Sequence, residues 1–552
     1  MKNRHHQKLP IVTDVTFDQL RAALSPELEH GLSFQLGLTR RVLAVTGWNE
    51  PREESGETAW NSLVEIEREL ENHAYSIAQD LSNAQWLWYL RRARWLFEDG
   101  ALASTAPYLA AVAESVGAWS ATRGSPPVGP DSGLVGYPVD RGAAIAILRM
   151  WAVARLLGGI QSTLRWCAKG AFVRACEDEL PEPVPDPELE AAVTLWDKRT
   201  EDGTGFLSRA ALYTHTLGDV PDNLAGVAAT VPVAGRSSVA GHYGLAALHL
   251  GETPALLDPA LPLTVRWPMP VLDLVTVLWA MFLNHGVVPP GWYGSFRRTG
   301  YRVLTRGAVL SELDHAVRLL GDLRLGGAIP SDVSLGPPQQ VYERLRDTEA
   351  LAWPPTTGPV FREAEGDVVF ADLHAATQRL SVALSRPAFV GELANVWSEH
   401  FERTVQAAID ESCWKPSPAI ASLRRRRLKV HGKAITDIDA IGERGDRLLL
   451  VSCKGIPFSD AWNRGECRAV LNVAAAADAA VADWRDRMAK LRAEPRGDNY
   501  DFSRHSELIG VVVFPLPPWS PTPDTCAEIA PGLRAASSAD ELGQWVQARY
   551  EV

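Results

Sequence analysis

Apolar residues recur at helical spacing through most of the first 330 positions. Segments 57–81 (ETAWNSLVEIERELENHAYSIAQDL), 85–99 (QWLWYLRRARWLFED) and 142–168 (GAAIAILRMWAVARLLGGIQSTLRWCA) each keep a stripe near a 3.6-residue period. Proline- and glycine-rich breaks near 124–137, 181–186 and 287–295 punctuate them. The pattern changes at 359–384, which reads as a small hairpin turning at Gly366-Asp367 and then a helix. Helical spacing returns over 389–411. RRLKV (426–430) follows as a short strand, and 434–454 reads as a hairpin with Gly445 in its turn. An alanine-rich helix over 459–494 and an apolar run, LIGVVVFPL (508–516), complete the series. The expected chain is multidomain: a mainly α region over 1–330, with room for two subdomains, a connector over 331–388, and an α/β domain over 389–552.

The hairpin carries the chemistry. Asp437 and Asp439 are two apart, so both leave one face of the first strand; Ser452 and Lys454 do the same on the second. With Arg444-Gly445 as the loop, Glu443 opposes Asp446 and Asp437 opposes Ser452. Directly opposed residues share a face, so two acids, a hydroxyl and a lysine converge. Such a group suits a divalent cation beside a phosphate. Solvation of a hairpin end is the plainer use of the same residues.

AITDIDAIGERGDRLLLVSCK (434–454) resembles the catalytic hairpin of the PD-(D/E)xK phosphodiesterase superfamily, the restriction-endonuclease-like fold. The resemblance covers roughly the last 160 residues and extends to the order of elements, α-β-β-β-α-β. It implies a Mg²⁺- or Mn²⁺-dependent nuclease in which Asp439 is a metal ligand. Lys454 would orient the attacking water and stabilise the transition state. Ser452 departs from the pattern, standing where the family usually has Glu or Asp; a neutral hydroxyl does not replace that charge at a hard cation. Asp437, and Glu402 or Glu399 on the preceding helix, are the acids that can supply it, and the Cys453 backbone carbonyl is a further ligand under the resemblance.

Charge adds a second layer. The net charge of −12 divides into −10 over the first 389 residues and −2 from residue 390 onward. The acidity thus lies mostly outside the candidate catalytic domain. Within that domain Arg424, Arg425, Arg426, Arg427 and Lys429, with Lys433 nearby, form one basic run that can neutralise phosphates; a solvated loop is the simpler account. The acidic region is expected to gate the nuclease-like part by binding a protein partner or ligand.

Nineteen tryptophans, thirteen of them before residue 360, sit among aliphatic residues and read as core packing in preference to base-stacking platforms. Six cysteines at 167, 176, 413, 453, 467 and 526 show no zinc spacing and fit reduced cytosolic thiols. The apolar stretch 142–163 holds Arg149 and Arg155, which favours a buried helix over a membrane span. The expected protein is a cytoplasmic metal-dependent nuclease acting on nucleic acid, DNA foremost. A bacterial defence or DNA-processing role is suggested by association alone. The alternative is a catalytically impaired nuclease-fold scaffold that binds nucleic acid or a protein.

Overall fold

A computed structural model describes residues 18–97, 106–122, 136–202, 269–278, 280, 301–323, 335–346, 358–372, 375–376, 379, 392–456, 460–463 and 465–548. In chain order the helical part holds α1 (Leu28–Thr46), β1 (Glu53–Glu54), α2 (Gly56–Ala78), α3 (Asn83–Leu90), α4 (Ala106–Gly117), α5 (Arg141–Ala168), β2 (Val173–Cys176), β3 (Glu179–Pro183) and α6 (Pro187–Asp202). Then come α7 (Met269–Leu278), β4 (Tyr301–Thr305), α8 (Arg306–Leu323), α9 (Pro338–Arg346), β5 (Phe361–Ala364) and β6 (Val368–Asp372).

α5 is the axis of this part. α1, α2 and α4 all pack on it, and apolar residues on almost every side of it are buried. A helix that is apolar all round needs such a sleeve. It is the one helix among the described residues long and apolar enough to cross a membrane, and most of its apolar window is buried in the protein. Trp48, Trp86 and Trp88 are fully buried beside it. The Trp86 and Trp151 indoles donate to the Ala78 and Leu96 carbonyls, each at 2.8 Å. These tryptophans are packing residues.

The helix expected toward residue 384 lies largely outside the described residues, and Phe361–Asp372 forms the expected hairpin, with Gly366 and Asp367 both at left-handed φ. It does not stand apart as a connector. β4 pairs with β6 to give a β4-β6-β5 sheet, and Tyr301, Val368 and Phe370 enter the helical core. Asp372 is fully buried and paired with Arg91 at 3.2 Å and Arg362 at 3.6 Å. Buried charge persists only when partnered in this way.

The C-terminal part holds α10 (Glu392–Asp410), β7 (Leu428–Val430), β8 (Lys433–Thr436), β9 (Ala440–Arg444), β10 (Arg447–Cys453), α11 (Cys467–Ala493), β11 (Glu507–Phe514), β12 (Glu528–Ala530), β13 (Leu533–Arg534), β14 (Ala536–Ser538) and α12 (Ala539–Gln547). Its main sheet has the order β14-β11-β10-β9; β9 is antiparallel to β10, and the other two pairings are parallel. The strands read as continuous apolar runs because both faces are covered. Leu448, Leu450, Val512 and Phe514 meet α11, while Leu449, Val451, Val511 and Val513 meet α10 and α12. At Gly510 a Cβ would stand 2.4 Å from the Met488 side chain, so only glycine admits α11 this close. The expected succession of elements is present with two differences. β7 and β8 form a separate two-stranded ribbon, and β14 adds an edge strand.

Helical and C-terminal parts share a seam. Ala168, Val193, Cys467, Val470, Ala474 and Trp519 form one apolar cluster drawn from both. Trp196 of α6 donates its indole N–H to the Pro517 carbonyl at 3.0 Å. Arg199, almost fully buried, forks onto Glu541 at 2.7 and 3.0 Å and donates to the Ala536 carbonyl at 2.8 Å. Glu541 is also the capping-box acid of α12, closing back on Ser538. All six cysteines are free.

Candidate active site

Turn chemistry fixes the hairpin register. Arg444 pairs with Arg447, so the two-residue loop is Gly445-Asp446 and not Arg444-Gly445. Gly445 has φ +63°, the positive value wanted at the first central position of a type II′ hairpin turn. Register therefore moves by two residues, which keeps the faces and changes the partners. One step beyond the last ladder pair, Val451 with Ala440, Asp439 stands opposite Ser452 in the place expected for Asp437.

The first strand is also broken. Asp437, Ile438 and Asp439 lie between β8 and β9, not on one continuous strand. Ile438 is buried in the core under α11, and its carbonyl accepts from the Arg425 N–H at 2.8 Å. The Asp437 carbonyl accepts from Thr436 Oγ1 at 2.7 Å, and Arg487 of α11 donates to the same Thr436 hydroxyl at 3.1 Å. Asp437 is exposed and Asp439 half-buried.

Because β9 begins only at Ala440, the Cys453 N–H has no ladder carbonyl from it. Asp439 Oδ2 accepts that N–H at 2.6 Å and lies 3.5 Å from Ser452 Oγ. The Asp439 N–H donates to Val451 O at 3.1 Å, and its carbonyl accepts from Arg424 Nε at 2.9 Å. Lys454 follows directly, with its N–H on Val513 O at 2.8 Å and its side chain exposed. Burial pushes the Asp439 carboxyl up to about 6; the Cys453 N–H and the Lys454 charge oppose this, and the Glu402 and Asp437 charges add to it. Burial likewise pushes the Cys453 thiol well up, with Asp439 and Glu402 adding. It is therefore held as the thiol.

α10 brings Glu402 to this edge and turns Glu399 away. Glu402 Oε2 accepts from Arg425 Nη2 at 2.8 Å and Nε at 3.1 Å. The Glu399 carboxylate is exposed and 4.0 Å from Arg403, while its carbonyl accepts from Arg425 at 3.4 Å. The basic run thus splits. Arg424 and Arg425 are engaged within the site, whereas Arg426, Arg427, Lys429 and Lys433 are exposed. Asn499 braces the exposed stretch by accepting the Lys429 N–H at 2.9 Å and donating to Arg427 O at 3.0 Å.

Among the described residues, no three His, Cys, Asp or Glu side chains form a closed group able to hold a metal ion. The oxygens of Asp439, Asp437 and Glu402 nevertheless suit a hard cation in kind, and the charges of Glu402 and Asp437 are near enough to act on Asp439. Sequence reasoning gave Arg424 and Arg425 to nucleic acid and missed their partners. The left-handed backbone that aims Arg425, φ +58°, has no signal in an all-arginine stretch. The chain matches no protein-family model, no curated protein and no solved structure.

Proposed function

We propose that the C-terminal part is a divalent-cation-dependent phosphodiesterase of nuclease type, acting on DNA or RNA, with a restriction-endonuclease-like fold. One observation carries this reading. Asp439 is a half-buried carboxylate at the open end of a sheet, beside Ser452 and Lys454, and its proton affinity is raised by two further acids. Carboxylates arranged so favour a cation, because the cation relieves both burial and mutual repulsion. Bound there, Mg²⁺ or Mn²⁺ would polarise a phosphoryl oxygen and supply a water of lowered pKa. Asp439 is the principal ligand, with Asp437, Glu402 and the Cys453 carbonyl as further donors. Lys454 orients the nucleophilic water and offsets charge developing on the phosphate. Arg426, Arg427 and Lys429 neutralise flanking phosphates. Action in the cytoplasm, in defence or DNA processing, with control by the acidic helical part, belongs to the same proposal.

A non-catalytic scaffold is favoured by a different pair of observations: Ser452 occupies the second acid position, and Glu402 is tied to Arg425. Mn²⁺ titration separates the two readings. The nuclease reading expects saturable Mn²⁺ binding that Asp439→Asn abolishes. Binding absent from the wild type, or equal in the variant, sinks it.

A further inference from the structure

Glu402 and Arg425 form the most informative pair at this edge. Arg425 occupies a left-handed backbone conformation that only a minority of non-glycine residues adopt. Its N–H is pinned to the Ile438 carbonyl, one residue from Asp439, and its guanidinium spans α10 by touching the Glu399 carbonyl and the Glu402 carboxylate. The guanidinium is therefore positioned, not splayed into solvent. The pair is nonetheless partly open, with side-chain exposures of 41% for Arg425 and 21% for Glu402. An ion pair of that exposure contributes little net stability and exchanges readily for another anion.

We infer that Arg425 masks Glu402 in the free protein and moves to a substrate phosphate, releasing Glu402 to join Asp439 at the cation. The inference rests on the nuclease reading above and explains why Glu402, brought to the same edge as Asp439, is held by Arg425 and belongs to no closed metal group among the described residues. A guanidinium fork fits a phosphodiester as well as it fits a carboxylate. Once the fork has moved, Glu402 is left at this edge without its counter-charge. A cation held by Asp439 would restore it. Substrate and metal consequently strengthen each other's binding, and linkage makes the effect equal in both directions. The mask also keeps the site from loading metal and cutting before nucleic acid is seated.

Two binding measurements on the full-length protein test this. In the first, Mn²⁺ is titrated without nucleic acid. Arg425→Gln unmasks Glu402 and should bind Mn²⁺ about tenfold more tightly than wild type, within the range usual for coupled sites. Arg425→Lys should fall between them. Arg425→Gln combined with Glu402→Gln should lose the gain. In the second, a short labelled DNA duplex is titrated in EDTA. Glu402→Gln frees the guanidinium and should tighten binding several-fold, whereas Glu399→Gln, which removes equal charge from the same helix, should have a smaller effect. Circular dichroism confirms that each variant is folded. Equal Mn²⁺ affinity in wild type and Arg425→Gln, or equal duplex binding by the Glu399 and Glu402 variants, overturns the mask while leaving the nuclease reading standing. Failure of every variant to bind Mn²⁺ overturns both.

Discussion

Asp439 completes a hydrogen-bond ladder for Cys453: its Oδ2 takes the backbone N–H, at 2.6 Å, that a longer β9 would have taken with a carbonyl. Structural and chemical roles are therefore joined in one carboxylate, and substitutions should part them. Asp439→Ala leaves a backbone donor without its acceptor and should be less stable than Asp439→Asn by about 1–3 kcal/mol. Asp439→Asn keeps an acceptor and removes only the charge. Because the folded-state carboxyl is pushed up to about 6, the native state binds more protons than the unfolded chain between about pH 4 and 6, and stability falls as pH rises through that window. In EDTA at neutral pH, Asp439→Asn should consequently be more stable than wild type, by up to about 3 kcal/mol. Thermal melts against pH check this.

Ser452 is buried and faces Asp439 across the strand ends. Ser452→Glu places a second carboxylate against the first in a poorly solvated position. We expect it to lower the melting temperature in EDTA and to recover on adding Mg²⁺. A ligand at a hundred times its Kd stabilises by about 2.7 kcal/mol. A melt unmoved by Mg²⁺ would show that the added acid does not reach a cation.

Glu443 is the hub at the opposite end of the hairpin. Burial alone would raise its carboxyl, but the Ser417 N–H, His505 and Arg504 hold it down at about 2. A depressed acid contributes stability that is full above its unfolded pKa and is lost as pH falls through the folded value. The contribution, about 3 kcal/mol by linkage, should disappear between about pH 4.5 and 2. Glu443→Gln should lower stability at pH 6 and flatten the acid limb of a denaturation profile.

How far the chain could be read in advance depended on which forces set each feature. The helices α2 and α5 and the order of the C-terminal elements follow from periodicity and turn residues, which are local. Exact partners did not follow, because the register rests on whether Gly445 takes the first or second place in the turn. The break at Asp437–Asp439 depends on β8 pairing with β7, and the Arg425–Glu402 pair depends on one backbone angle. Both are tertiary decisions. The 359–384 hairpin misled for the same reason: its third strand, Tyr301–Thr305, comes from about sixty residues upstream.

The seam redirects the expected role of the acidic helical part. Separated from it, residues 389–552 would expose Cys467, Val470, Ala474 and Trp519, so control is better tested in the intact chain. Arg199→Ala leaves Glu541 without its buried partner, a loss of about 3–5 kcal/mol. If the helical part restrains access, this variant should bind a labelled duplex more tightly at low salt. The gap should narrow as the Debye length shrinks from about 30 Å at 0.01 M to about 10 Å at 0.1 M. Weaker binding at every salt would mean that the helical part grips the nucleic acid itself. Lys169 at the same seam offers a second handle. Burial pushes its ammonium down to about 7, against Asp197, so stability should rise with pH from about 7 toward 10 and Lys169→Met should erase that slope.

Cleavage is the most direct measurement of the proposed chemistry. Labelled DNA and RNA, each single- and double-stranded, are incubated with wild type, Asp439→Asn and Lys454→Ala in Mg²⁺, Mn²⁺ and EDTA, with folding checked by melting. Wild type should cut at least one substrate with Mg²⁺ or Mn²⁺ and none in EDTA, and both folded variants should lose at least a hundredfold in rate, about 2.7 kcal/mol of transition-state stabilisation. Cutting that persists unchanged in Lys454→Ala, or wild type that binds no Mn²⁺ and cuts nothing, would contradict a phosphodiesterase site at Asp439 and Lys454.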